Sequence, residues 1–136
     1  MIDSNAALRA WLLSDPAIVA LVGGRVYWPT LPQDHLPERD GLAITVSTRG
    51  GRSDAEMPII NPSVQIETWA PAGEHVRARE VYRAIYDLLH GACGIDLGAN
   101  GYVLSCLEEV QGQDSIDPET KWATVLSFYR LMMRAN

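Results

Sequence analysis

The sequence predicts an α+β fold: a mainly antiparallel sheet of about four to five strands with helices packed against it. Two observations predict it. Between Ser63 and Leu89 the hydrophobic period changes from two to 3.6 residues, so a strand hands over to the helix that covers it. The last stretch, Lys121 to Met133, is apolar on both faces, with Val125, Ser127, Tyr129 and Leu131 on one side and Thr124, Leu126, Phe128 and Arg130 on the other. A run of that kind is either a central strand or a strand with one face buried by another subunit.

The elements follow in the order helix-β-β-β-helix-β-β. Asp3 or Ser4 can cap a helix over Asn5 to Leu13, whose apolar face is Leu8, Trp11 and Leu12. Asp15-Pro16 restarts it, with proline at the first helical position, and Gly23-Gly24 ends it. Arg25 to Trp28 is a short strand. Pro29, Pro32 and Pro37 stiffen the polar loop to Gly41 without making it helical. Leu42 to Arg49 alternates as a strand. Gly50 to Pro62 reads as a loop too long for a tight turn, with an apolar end, Met57-Pro-Ile-Ile60, that a loop has no local reason to carry.

In the next strand Val64, Ile66 and Thr68 form the drier face against Gln65, Glu67 and Trp69. The helix that follows puts Ala78, Val81, Ile85 and Leu88 on one face and Arg79, Glu80, Arg83 and Asp87 on the other, with stop signals at His90 and Gly91. Gly91, Gly94, Gly98 and Gly101 predict a flexible stretch. Tyr102 to Val110 and Lys121 to Met133 are the last two strands, joined by an acidic turn with Asp114, Asp117 and Glu119.

With 136 residues, of which 47% are hydrophobic, the chain predicts a single domain spanning residues 1–136. No apolar run approaches the length needed to cross a membrane. Met1 to Asn5 lacks the basic region of a signal peptide. The 17 acidic and 11 basic residues give a net charge of −6, which argues against generic binding to a phosphate backbone. Cys93 and Cys106 lack metal or disulfide spacing and read as reduced thiols, with Cys106 in the core.

Catalytic patterns are sought and not found. There is no Gly-x-Ser-x-Gly elbow and no phosphate-binding glycine loop. His35, His75 and His90 fall in a loop, a helix start and a helix end, where surface or capping roles are favoured. Glu108 and Glu109 point to opposite faces of a strand. Asp114-x-x-Asp117 lacks the ligand spacing of a calcium loop, and a turn stabilised by Asp117-Pro118 explains it better. The sequence therefore predicts no catalytic residue, no cofactor and no metal. Met57, Ile59 and Ile60 are candidate contacts to a neighbouring subunit or another protein assembly, on the expectation that the core does not need them. Arg77 is either a snorkelling side chain or an ion pair to a neighbouring subunit.

Leu8-Arg-Ala-Trp-Leu12, Leu21-Val-Gly-Gly-Arg-Val-Tyr27, Leu42-Ala-Ile-Thr-Val46, Val64-Gln-Ile-Glu-Thr-Trp-Ala70 and Asp117-Pro-Glu-Thr120 occur in this order across nearly the whole chain. In this the sequence resembles the tail terminator, or tail completion, family of long-tailed bacteriophages and gene transfer agents. It departs from that pattern at Lys121-Trp122, where a glycine is common. The resemblance implies a structural virion protein with no catalytic activity. It implies a ring, typically of six copies, that caps the tail tube, ends tail polymerisation and joins the tail to the head-side stopper or connector protein. DNA passes through its lumen without specific binding. The implied location is the tail neck of a virion or virus-like particle assembled in the bacterial cytoplasm, with no membrane partner. A head-side stopper or adaptor of the same neck is the alternative within the particle; a small ligand-binding domain or enzyme is the alternative outside it.

Overall fold

A computed structural model describes residues 1–136. Asp3 accepts a hydrogen bond from the Asn5 amide and starts α1, Ser4–Leu13; Asp15 does the same for Ala17 at the head of α2, Pro16–Val22, with Pro16 in the first turn. Both caps satisfy amides that have no partner inside the helix. β1 is only Val26–Tyr27, and a single helical turn, α3, Pro37–Asp40, follows within the proline-rich loop. That turn was not expected. Pro37 sits where a missing N–H costs nothing, and the Asp40 carboxylate accepts the Leu36 amide to close it.

β2 spans Ala43–Ser53 and β3 spans Ile59–Ala70, each longer than its alternation predicts. The expected loop from Gly50 to Pro62 is instead a two-stranded arm: Arg52 pairs with Asn61 and Ser53 with Ile60. Only residues 54–58 turn, closed by the Asp54 carboxylate accepting the Glu56 and Met57 amides. The arm carries an irregularity between Thr48 and Gly51. Gly51 has φ +136°, and a Cβ there would collide with the Asn61 carbonyl, so the bulge depends on glycine.

The covering helix α4, His75–Leu89, buries Ala78, Val81, Tyr82, Ile85 and Leu89, close to the face its periodicity predicts, with Leu88 half-buried. The stretch expected to be flexible contains β4, Cys93–Asp96, before a turn at Gly98–Asn100. Four mostly exposed residues show too little alternation to reveal a strand. β5, Tyr102–Ile116, and β6, Ala123–Arg134, complete the sheet.

The sheet therefore has six strands, in the order β1-β2-β3-β6-β5-β4, where the sequence predicts four to five. It is antiparallel except for β1, which runs parallel to β2. The two chain-distant strands β3 and β6 pair along their full lengths, from Ile59 opposite Arg134 to Ala70 opposite Ala123. β6 is thus the central strand its composition suggests. Val125, Tyr129, Leu131 and Met133 point into a core of 25 residues shared with the helices. Each large aliphatic side chain in that core contributes about 1.5–3 kcal/mol by leaving water.

Arg25 explains one motif in the sequence. Its Nε donates to the Leu42 carbonyl at 2.7 Å, and its own carbonyl accepts the Ile44 amide at 3.0 Å. The guanidinium lies against Gly23 and Gly41, and a Cβ on Gly41 would sit 2.9 Å from Nη2. The Gly-Gly-Arg segment is therefore a clamp joining the end of α2 to the start of β2.

Candidate functional site

The two faces of the sheet differ. On one, α1, α2 and α4 cover the core. On the other, cover is partial. The proline-rich loop and Trp122 lie over the β2–β3 side, where Trp122 donates to Glu38 and meets Trp69 edge-on. Under them is a polar cleft of about 540 Å³ lined by Thr45, Ser47, Arg49, Gln65, Glu67 and Asp117 among others. Burial holds the Glu67 carboxyl above its usual range; Asp117 adds to this, while a hydrogen bond from Gln65 opposes it.

The β5–β6 side of the same face has no cover. Val110 pairs with Phe128, Gln113 with Leu126, Leu107 with Arg130 and Ser105 with Met132. These pairings bring Leu107, Val110, Leu126, Phe128 and Met132 onto one face, in two groups with Arg130 between them: Leu107 with Met132, and Val110 with Leu126 and Phe128. Leu107 is 55% exposed and Met132 38%. Exposed apolar side chains grouped on one sheet face, with the Glu109–Arg130 ion pair at 3.0 Å crossing between them, are the mark of a protein contact. The sequence signals half of it: Leu126 and Phe128 stand out on the second face of the last strand. Leu107 and Val110 are missed, because bulges in β5 near Ser105, Val110 and Gln113 break the alternation that would have shown their side.

The candidate contact residues fall in different settings. Met57 is at the tip of the β2–β3 arm and 55% exposed. Ile59 and Ile60 are half-buried at the start of β3, and Ile60 packs against the core opposite Met133. The expectation that the core does without this run is therefore corrected for Ile60: extending the hairpin puts it in register with β6. Arg77 is exposed and pairs with Glu74 in its own helical turn at 3.3 Å, rather than snorkelling over apolar surface.

The histidines each serve the backbone. His35 is buried, its Nε2 3.2 Å from the Gly41 carbonyl. His75 Nε2 donates to the Ser115 carbonyl, and His90 Nδ1 accepts the Glu108 amide. His75 and His90 bracket α4, about 22 Å apart by helical rise. Glu108 accepts from the Tyr82 hydroxyl at 2.6 Å, while Tyr82 in turn accepts the Gly112 amide. Asp114, expected in the acidic turn, instead lies in β5, which runs on to Ile116, and pairs with Arg79; only the residues after it turn, where Asp117 accepts the Glu119 and Thr120 amides.

Burial pushes the Cys106 thiol up to about 12, whereas Cys93 is exposed on β4. A maleimide should therefore label the native protein once, at Cys93, and label Cys106 only after unfolding. Mass spectrometry of the labelled chain checks this; rapid double labelling under native conditions contradicts the burial of Cys106.

Comparison with known proteins gives three results. The model of the family described as "Tail completion protein gp17" matches residues 6–134. No curated protein matches the chain. Among solved structures, one chain of the "Virion of native gene transfer agent (GTA) particle" is similar at a TM-score of 0.73 and 19% identity, covering 97% of this chain and 95% of that one. At that identity the likeness is one of fold.

Proposed function

The chain belongs to the tail completion protein gp17 family, and on that premise we propose that it assembles as a ring, of six copies, on the last ring of the tail tube. It is a structural protein of a phage-type tail. In this reading the ring stops tube growth and offers its other side to the head-side connector, in a tail neck built in the bacterial cytoplasm. DNA passes through the lumen. The chain acts as one domain whose arms and sheet faces are its contact surfaces.

The observation that carries the reading is the uncovered apolar half of the sheet, Leu107, Val110, Leu126, Phe128 and Met132. Water-exposed apolar surface on a pleated face is unfavourable in an isolated protomer and is covered on assembly. We place the tail tube against it, with Met57 at the arm tip as a further contact. Native mass spectrometry of the protein with tail tubes tests the reading. Six copies per tube end support it, and a protein that remains monomeric and unbound overturns it.

The net charge of −6 fits a lumen that lets a polyanion slide. The purified ring should retain no duplex DNA at physiological salt. Retention that falls steeply as salt is raised would mean basic side chains grip the phosphates, and contradicts a passive lumen.

A further inference from the structure

The two lateral edges of the sheet are stepped, and the steps match. On one edge β1 covers only Ile44 and Thr45 of β2 and leaves the strand from Val46 to Ser53 without a strand partner. On the other edge β4 covers only Tyr102 to Ser105 of β5 and leaves Leu107 to Ile116 without one. The registers place these steps at opposite ends. Following the pairings across the sheet, Tyr27 pairs with Thr45, Thr45 with Glu67, Glu67 with Leu126 and Leu126 with Gln113. Cys93 pairs with Ser105 and Ser105 with Met132; beside Met132, Asn61 pairs with Arg52. So β1 stands level with the bare end of β5, and β4 stands level with the bare end of β2. In such a joint β4 would run parallel to β2, and β1 antiparallel to β5.

The charges agree as well. β1 and β2 carry Arg49 and Arg52 and no acid; neither arginine has an acidic partner within the protomer. β4 and β5 carry Asp96, Glu108, Glu109 and Asp114 and no base; Glu109 and Asp114 already pair with Arg130 and Arg79, which leaves Asp96 and Glu108 without a basic partner. We propose that copies of this chain join edge to edge, the basic β1–β2 edge of one against the acidic β5–β4 edge of the next. In that joint β4 lies beside the β2 arm and β1 beside the bare end of β5.

Such a contact joins two different surfaces, so it repeats from copy to copy and can close into a ring. The proposal rests on the ring reading and adds which surfaces form it. α4 sets the chemistry of the lower half. His90, Tyr82 and Arg79 already occupy backbone groups at Glu108 and Gly112 of β5, so side chains, not an added strand ladder, make the contact there. The bare backbone of β2 leaves the upper half open to pairing by β4.

Native Cys93 provides the test. Thr48→Cys, Arg52→Cys and Ser53→Cys are made singly, and each protein is treated with a short bismaleimide. The expected result is a ladder of covalent multiples, strongest at Arg52→Cys, that disappears when Cys93→Ser is added. Val19→Cys on α2 gives no ladder. Separately, Arg49→Glu with Arg52→Glu should leave the far-ultraviolet spectrum unchanged and weaken self-association at least about tenfold at low salt. Multimers by native mass spectrometry with no ladder from any of the three cysteines overturn the edge joint alone. A protein that stays monomeric, alone and on tail tubes, overturns the joint together with the ring.

Discussion

Replacing Leu107 and Met132 together with threonine is expected to leave the monomer folded and to weaken its attachment to the tail about a hundredfold. Both side chains are on the face away from the helices and are partly in water, 55% and 38% exposed. Threonine keeps the β-branched shape that strands favour, so urea unfolding of the monomer should move by less than about 1 kcal/mol. In the assembled tail each side chain would be covered by a neighbour. Only the exposed fractions remain to be covered, so at about 3 kcal/mol for a fully buried large aliphatic side chain, the high end, losing both removes up to about 3 kcal/mol. Co-sedimentation with tail tubes measures it. Unchanged attachment of the well-folded double variant would mean this face stays in water in the particle.

The largest expected effect on folding is at Gly41. Its φ is +97°, a conformation that disfavours any side chain, and its missing Cβ leaves the space in which Arg25 lies. Gly41→Val adds backbone strain and drives a branched side chain into the guanidinium. The bond from Arg25 to the Leu42 carbonyl is then lost, and with it the docking of β1 on β2. The expected loss is about 2–4 kcal/mol by urea unfolding. Gly24, with open space around it, serves as the control: Gly24→Ala should change stability by no more than about 0.5 kcal/mol. Equal small effects at both sites would contradict the clamp.

The sequence reveals the fold where hydrophobic period and burial coincide. Val64, Ile66 and Thr68 alternate because α4 covers one face of β3 and a polar cleft lies on the other. Asp3, Asp15 and Pro16 announce the helix starts because capping is local. Legibility fails where a strand has nothing packed on it. The arm from Gly50 to Ile59 is held by its partner strand and not by a core, so its residues show no alternation, and glycines inside a bulge look like the glycines of a loop. β4 is hidden for the same reason.

The contact surface is half legible. Leu126 and Phe128 stand out because β6 is apolar on both sides, yet the sequence does not say whether a helix or a neighbour covers the second side. Leu107 and Val110 join them only through the register of β5 with β6, a long-range fact that no local pattern encodes. Met57 is exposed at the arm tip, whereas Ile60 packs beside Met133, a partner far along the chain that no local pattern announces. The matched stepped edges are likewise a product of topology: β1 and β4 come from distant parts of the chain and show their offset only when the sheet order is known.

Electron microscopy of tail tubes polymerised with and without this protein tests the central claim most directly. The account predicts that added protein gives tubes that stop growing and carry one ring at one end, with the sheet edges of neighbouring copies in contact. Tubes that continue to lengthen with no ring at either end, in the presence of folded protein, would contradict it.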